Sequence, residues 1–341
     1  MIVSGEQIVS VFDVRTGTQI TQFLPSDVQR LTWSRELRQV SRCEITALDP
    51  PPLDMFTPWL HWVSVWDADA RDLYWTGPIT RLSAGRTSLS VSARDLGEMM
   101  TVTRCPIGKS WEATDPATIA AELWAGMVER HGLNTADPVV RPDPQGERIN
   151  FTAKADDEML LDTFEGLVRQ GLRWSVVAGV PVFGPAPPKP VAALGEDDFL
   201  TALAVIRDGA NVVNDLVLRT GKDVVRARTW AAGLQLEGIV NADTVTNAEA
   251  AARQYLRHRG RIRDAIAADG SNRLHPDAPL DVRSLVPSTR VTVEARGVLA
   301  VMEMTSVEVA VEQGATSVSV GLATVDDDPP ELLKAGGSGV R

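Results

Sequence analysis

Over long stretches of this chain, apolar and polar positions alternate with a period of two, the pattern of strands with one buried face. The densest run covers residues 59–104. Trp59-Leu60-His61-Trp62-Val63-Ser64-Val65-Trp66 reads as a strand, with 67–72 as its turn. Residues 73–82 return, Ser83-Ala84-Gly85-Arg86 turns again, and 87–93 form a third strand of strict alternation. Asp95-Leu96-Gly97-Glu98-Met99-Met100 starts a short helix. Upstream, 7–14 and 19–24 flank Thr16-Gly17 as a hairpin. Residues 31–33 form a short strand, and 39–48 alternate until Asp49 and three prolines stop the ladder.

The period then changes. Asp115 and Pro116 predict a helix start, with Asp115 as N-cap and Pro116 in the first turn. Ile119, Leu123, Met127 and Val128 fall on one face, and Gly132 after Arg130 and His131 is a C-cap signal, which makes His131 a last-turn cation. Residues 139–149 read as a proline-rich connector. A second helix is predicted over 156–170, with Met159, Leu160, Phe164, Leu167 and Val168 inward and Asp156-Asp157-Glu158 in its first turn, Asp156 as its N-cap. A hairpin crosses Ala178-Gly179, and the prolines of 185–190 form a stiff linker. Strands return at 202–207, 215–220 and 224–230, the last two paired across Gly221-Lys222. A helix over 247–258 opened by Asn247, a strand over 261–268, a polar loop Asp269-Gly270-Ser271-Asn272 and a strand entered through 285–293 follow. A long hairpin joins 299–311 to 316–322. From Asp326 onward the chain is acidic, then Gly/Ser-rich, which predicts a disordered tail with no further domain.

Composition narrows the function classes. The 341 residues are 44% apolar and 23% charged, ordinary for a folded chain that needs no disulfide or metal staple. Cys43 and Cys105 lack CxxC or Cys/His spacing, so they read as two buried thiols. The N-terminus lacks a signal-peptide pattern, and no run approaches a membrane span. Thirty-four basic residues scattered among 45 acidic ones give a formal net charge of −11, which argues against a nucleic-acid reader. No GxGxxG, P-loop, HExxH or GxSxG motif occurs, and His61, His131, His258 and His275 are dispersed. The acidic groups at 156–158, 197–198 and 326–328 fit capping or solvation better than acid/base chemistry. No residue is nominated as catalytic, cofactor-binding or metal-binding.

Several motifs, in their order along the chain, resemble the tail hub family of tailed phages. They are Trp75-Thr76-Gly77-Pro78-Ile79 through Asp95-Leu96, then Asp156-Asp157-Glu158-Met159-Leu160-Leu161-Asp162 through Gly171-Leu172-Arg173-Trp174 to Val182-Phe183-Gly184. Asn211-Val212-Val213-Asn214-Asp215 follows, then 248–259, then Leu285-Val286-Pro287 leading to Val291-Thr292-Val293. The chain departs from the family's Pro-Gly-Asp at Pro287-Ser288-Thr289. The match spans residues 1–325 and looks closest to minor tail proteins of actinobacteriophage siphoviruses.

The resemblance implies a β-dominated α+β fold with two small β-barrel domains and α/β insertions. The expected division is 1–105 as first barrel, 106–195 as an α/β domain, 196–240 with 286–325 as a split second barrel, 241–285 as a helix-strand insertion, and 326–341 as tail. It also implies a non-enzymatic homotrimeric ring at the tail tip, made in the bacterial host cytoplasm. Such a ring adapts a sixfold tail to a threefold tip and lines the DNA exit channel. Implied partners are the distal tail protein, the tape measure protein and tip or fibre proteins, with DNA only in transit and no cofactor. Three alternatives stand beside this reading. One is the sixfold distal tail ring protein. A second is a carbohydrate-binding module using Trp59, Trp62 and Trp66, although Trp59 and Trp62 point to opposite faces of a regular strand. The third is a peptidoglycan hydrolase, for which no catalytic constellation is present.

Overall fold

The computed structural model describes residues 2–3, 6–48, 51–143, 148–185, 187, 189–210, 212–220, 224–229, 234–241, 248–260, 263–312 and 314–325. The expected tail and Asn247 lie outside them. The first third supplies β1 (Gln7–Asp13), β2 (Gln19–Phe23), β3 (Val28–Glu36), β4 (Arg42–Leu48), β5 (His61–Asp67), β6 (Leu73–Ala84) and β7 (Ser88–Arg94). The middle holds α1 (Met99–Val102), β8 (Lys109–Thr114), α2 (Pro116–His131), β9 (Val139–Val140), β10 (Ile149–Ala153), α3 (Leu160–Arg169), β11 (Trp174–Val177) and β12 (Val180–Phe183). Next come β13 (Ala193–Leu194), β14 (Ala204–Asp208), β15 (Asp215–Arg219), β16 (Val224–Arg228), β17 (Glu237–Asn241) and α4 (Ala248–Arg259). The last are β18 (Arg263–Arg273), β19 (Arg290–Ala295), β20 (Val298–Glu312) and β21 (Ala315–Thr324). This is the expected β-dominated α+β class, with strand-rich regions at both ends of the chain and α/β segments between them.

Thirteen strands form one sheet, whose path runs β14-β18-β21-β20-β3-β4-β7-β6-β5-β1-β2, with β19 and β13 branching from β20. The 15-residue β20 is its spine. Its first half pairs β19, and its second half lies between β21 and β3. Trp33 of β3 sits opposite Val309 of β20, and both side chains are fully buried. The first hydrophobic core therefore draws on both ends of the chain, from Val9, Trp33 and Val91 to Val293, Met304 and Val320.

A second core fills the α/β middle, where Trp124, Phe164, Trp174 and Phe183 pack with ring centroids 5.7–6.5 Å apart. The helix feeding it begins as its sequence dictates. Asp115 accepts from the Ala117 N–H at 2.8 Å, Pro116 follows, and Gly132 closes the helix in the left-handed region at φ 60°. A third, smaller core joins Leu216, Leu218 and Val240 of the β16-β15-β17 sheet to Ala252 and Leu256 of α4.

Four local expectations are corrected. Strand β5 begins at His61, because Trp59 turns the chain with φ 69° while its N–H donates to the Ile79 carbonyl. Helix α3 begins at Leu160 with Met159 as N-cap, so Asp156, at φ 59°, stands in a preceding turn. There Asp156 accepts from Arg130 at 3.0 Å, and Glu158 accepts from the Thr163 hydroxyl at 2.8 Å. The polar segment 269–272 is not a loop but part of β18, whose register breaks between Ala268 and Asn272. In the proline-rich connector, Val139-Val140 pairs in parallel with Val182-Phe183.

Candidate functional site

Among the described residues no group of three His, Cys, Asp or Glu side chains is placed to hold a metal, and no helix is long and apolar enough to cross a membrane. Cys43 and Cys105 are both free thiols and buried. The features that stand out are two buried ionisable side chains at joints between elements and several exposed apolar surfaces.

Arg35, at the end of β3, is only 3% exposed. Its guanidinium donates to the carbonyls of Val282 (2.9 Å), Leu285 (2.7 Å) and Tyr74 (2.9 Å). It also lies 5.1 Å from the centre of the Trp33 ring, which stacks on Tyr74. Burial lowers its pKa to about 10, so it stays charged near neutral pH. Arg35 thus fastens the loop before β19 to β3 and β6. At the surface of the same joint, the Arg283 Nη2 donates to both carboxylate oxygens of Asp72, at 2.7 and 2.8 Å.

Asp95 follows β7 and is 1% exposed. One carboxylate oxygen accepts from the Ser41 N–H and the other from the Gly97 N–H, each at 2.7 Å. Burial nevertheless raises its pKa to about 7, against the pull of these donors. Beside it the turn between β3 and β4 docks on the α/β middle, where the Arg38 N–H donates to the Trp174 carbonyl. A cavity of about 380 Å³ opens there, with Val40, Leu161, Phe164, Val168 and Trp174 among its lining.

The sequence-predicted tryptophans do not form a binding platform. Trp62 is 3% exposed and donates to the Trp59 carbonyl, and Trp66 donates to Ser10, so only Trp59, at 39%, stands well out. His61 is buried, and its Nδ1 accepts from the Thr57 N–H. His131 stands in the last turn of α2, where its sequence position puts it. Its ring shares a 2.7 Å hydrogen bond with the Thr103 hydroxyl, and burial with neighbouring Arg130 lowers its pKa. Sequence reading missed Arg35 and took Asp95 only for a helix start.

The fold can be placed against known structures. The tail protein from Neisseria meningitidis MC58 superposes with a TM-score of 0.63 at 16% identity, covering 96% of this chain and 99% of that one. The chain shares its fold with phage tail proteins. The 43 kDa tail protein of prophage MuSo2 from Shewanella oneidensis matches with a TM-score of 0.63 at 14% identity, over 96% and 99% of the two chains. The prophage tail protein gp18 from Listeria monocytogenes EGD-e gives 0.56 at 11%, over 98% and 99%. The tail-protein fold extends to an E. coli type VI secretion component, c3393, itself described as similar to T4 tail proteins gp27 and gp5. That match has a TM-score of 0.50 at 13% identity, over 90% of this chain and 77% of that one. No family model and no curated protein matches the sequence.

Proposed function

We propose that this chain is a structural minor tail protein of a siphovirus with an actinobacterial host, forming a homotrimeric hub ring at the tail tip. The observation that carries the reading is a fold shared with phage tail proteins over nearly the full length of both chains. The sheet supports it. Among the described residues its terminal strands, β2 and β14, each have one neighbour, and free edges are surfaces that a ring can cover. On this reading 1–105 and the split region 196–240 with 286–325 are barrels, 106–195 and 241–285 are insertions, and 326–341 is a tail. The ring joins a distal tail protein and tape measure protein above to tip or fibre proteins below, passes DNA in transit, and performs no catalysis. Native mass spectrometry and electron microscopy of assembled tails test it. The expected result is three copies per tip, with more than about 2,000 Å² buried per contact. One or six copies overturn it.

A further inference from the structure

We propose that the exposed segment 52–59 of one copy docks on the open face of the β16-β15-β17 sheet of a second copy of this chain. The inference rests on the ring reading and names the contact that would build the ring.

The segment is anchored from within and offers apolar groups outward. Phe56 is 5% exposed, while Leu53, Met55 and Trp59 are 46%, 39% and 39% exposed. Trp59 holds φ 69°, a conformation that bulky residues rarely adopt and that persists only where its surroundings impose it. Both of its backbone polar groups are engaged, the N–H to the Ile79 carbonyl at 2.8 Å and the carbonyl to the Trp62 indole N–H at 3.1 Å. The result is a backbone-pinned tryptophan facing solvent, the kind of rigid aromatic group that anchors interfaces. Its surroundings in sequence are acidic, since residues 43–70 hold five Asp or Glu and no Lys or Arg.

The second surface has the opposite charge. Leu216, Leu218 and Val240 turn toward α4, which leaves the alternate positions on the open face. Register places Val217 between Arg226 and Ile239, and Arg219 beside Val224. Val224 and Ile239 are 70% and 57% exposed, and Arg219 and Arg226 are exposed beside them. On that face Arg219, Arg226 and Arg228 stand against Asp215 and Glu237, with Arg228 engaged by Asp215, so the exposed excess is basic in a chain whose net charge is −11.

Topology sets the two surfaces apart. The small sheet is an excursion between β14 and β18 at one end of the large sheet, whereas 52–59 leads into β5 toward the other. From β18 to β6 the path takes six strand steps, about 29 Å at roughly 4.8 Å each. Two different, complementary patches on one molecule make a head-to-tail contact, which closes into a ring when the rotation allows. Opposite charge then selects the register of docking.

The full-length protein supplies the test. The double variant Met55→Cys with Ile239→Cys, mildly oxidised, is expected to give a ladder of covalently joined chains that neither single variant gives, the native thiols being buried. Arg226→Glu is expected to weaken association at least tenfold, and Asp54→Lys in the same chain to restore much of it. Trp59→Ala is expected to weaken association similarly while thermal unfolding of the monomer barely moves. Three copies by native mass spectrometry, with no ladder and no effect of Arg226→Glu, overturns the contact and leaves the ring reading standing. A monomeric wild-type chain overturns both. A crosslink within one chain, or capture of a different tail protein on the β16-β15-β17 face instead of a second copy, also overturns the contact.

Discussion

Arg35 is a buried cation whose partners are carbonyl dipoles and an aromatic face, with no carboxylate among the residues that hydrogen-bond it. Arg35→Ala removes the guanidinium from three buried carbonyls, of which Val282 keeps the Leu285 N–H at 3.3 Å, and is expected to cost roughly 3–5 kcal/mol, read as a lower urea midpoint. Arg35→Lys is expected to recover less than half of that loss, because an ammonium cannot span the fork a guanidinium fills. Asp95 makes a pH-dependent contribution of definite sign. Its folded pKa of about 7 stands above the ordinary aspartate value of 3.8, so between those pH values the native state holds a proton that the unfolded chain releases. Stability from this group is therefore complete below about pH 4 and falls as pH rises to about 7, by an amount on the order of 4 kcal/mol. Asp95→Asn should flatten that slope in urea titrations at a series of pH values, and an unchanged slope would remove Asp95 as its source. Both positions carry a signal in the sequence that the reading passed over. Leu31, Trp33 and Arg35 share one strand phase, and so do Leu89, Val91, Ala93 and Asp95, so each charge sits where an apolar residue would continue the buried stripe. Their partners were not legible, since Ser41 and Val282 lie 54 and 247 residues away.

At the scale of elements, local chemistry spoke clearly where the chain satisfies its own ends. Asp115, Pro116 and Gly132 mark the bounds of α2 in sequence and in structure alike. It misled where tertiary contacts supplied the partner. Asp156 looks like a cap, but Arg130 of α2 holds it in a turn before α3, and the polar stretch 269–272 is drawn into β18 beside β21. Gly77 shows the same dependence in a form open to test. A Cβ there would stand 1.8 Å from the Arg94 carbonyl oxygen, at the point where β6 crosses from its pairing with β5 to its pairing with β7. Gly77→Ala is expected to destabilise by about 3 kcal/mol or more, since the obstacle is backbone and cannot swing aside. Gly132→Ala meets nothing within 4 Å and strains only its positive φ, so calorimetry should rank it well behind Gly77→Ala.

For the whole molecule, the order of motifs along the sequence was enough to indicate the fold, because strand phase and turn chemistry are local. The join between the two ends of the chain was not, since nothing in residues 28–36 shows that they pair with 306–312. Net charge bears on function at this scale. Each chain carries −11, and a channel that lets DNA pass benefits from walls that do not grip phosphate. The inner wall of the assembled ring is therefore expected to be neutral or acidic. The docking proposed above agrees, as it places Arg219 and Arg226 between copies rather than along the channel. An assembled-tip structure with its surface potential calculated would check this. A continuous belt of Arg and Lys on the inner wall would refute it.

The pairing of β3 with β20 also sets an order of events during synthesis. The ribosome releases β3 with one edge satisfied by β4, and the strand that covers its other edge is Ser306–Glu312, made more than 250 residues later. Until then Trp33 and Leu31 lack the wall formed by Val309 and Val311, and Arg35 lacks the carbonyls of Val282 and Leu285. A nascent or prematurely terminated chain thus exposes an unpaired strand edge beside a half-built core, a surface that chaperones and proteases recognise. Completion of the C-terminal hairpin is the step that hides it. The architecture therefore inspects its own length, and a chain ending before β20 is expected to be soluble only with help and to be degraded before it can enter an assembly.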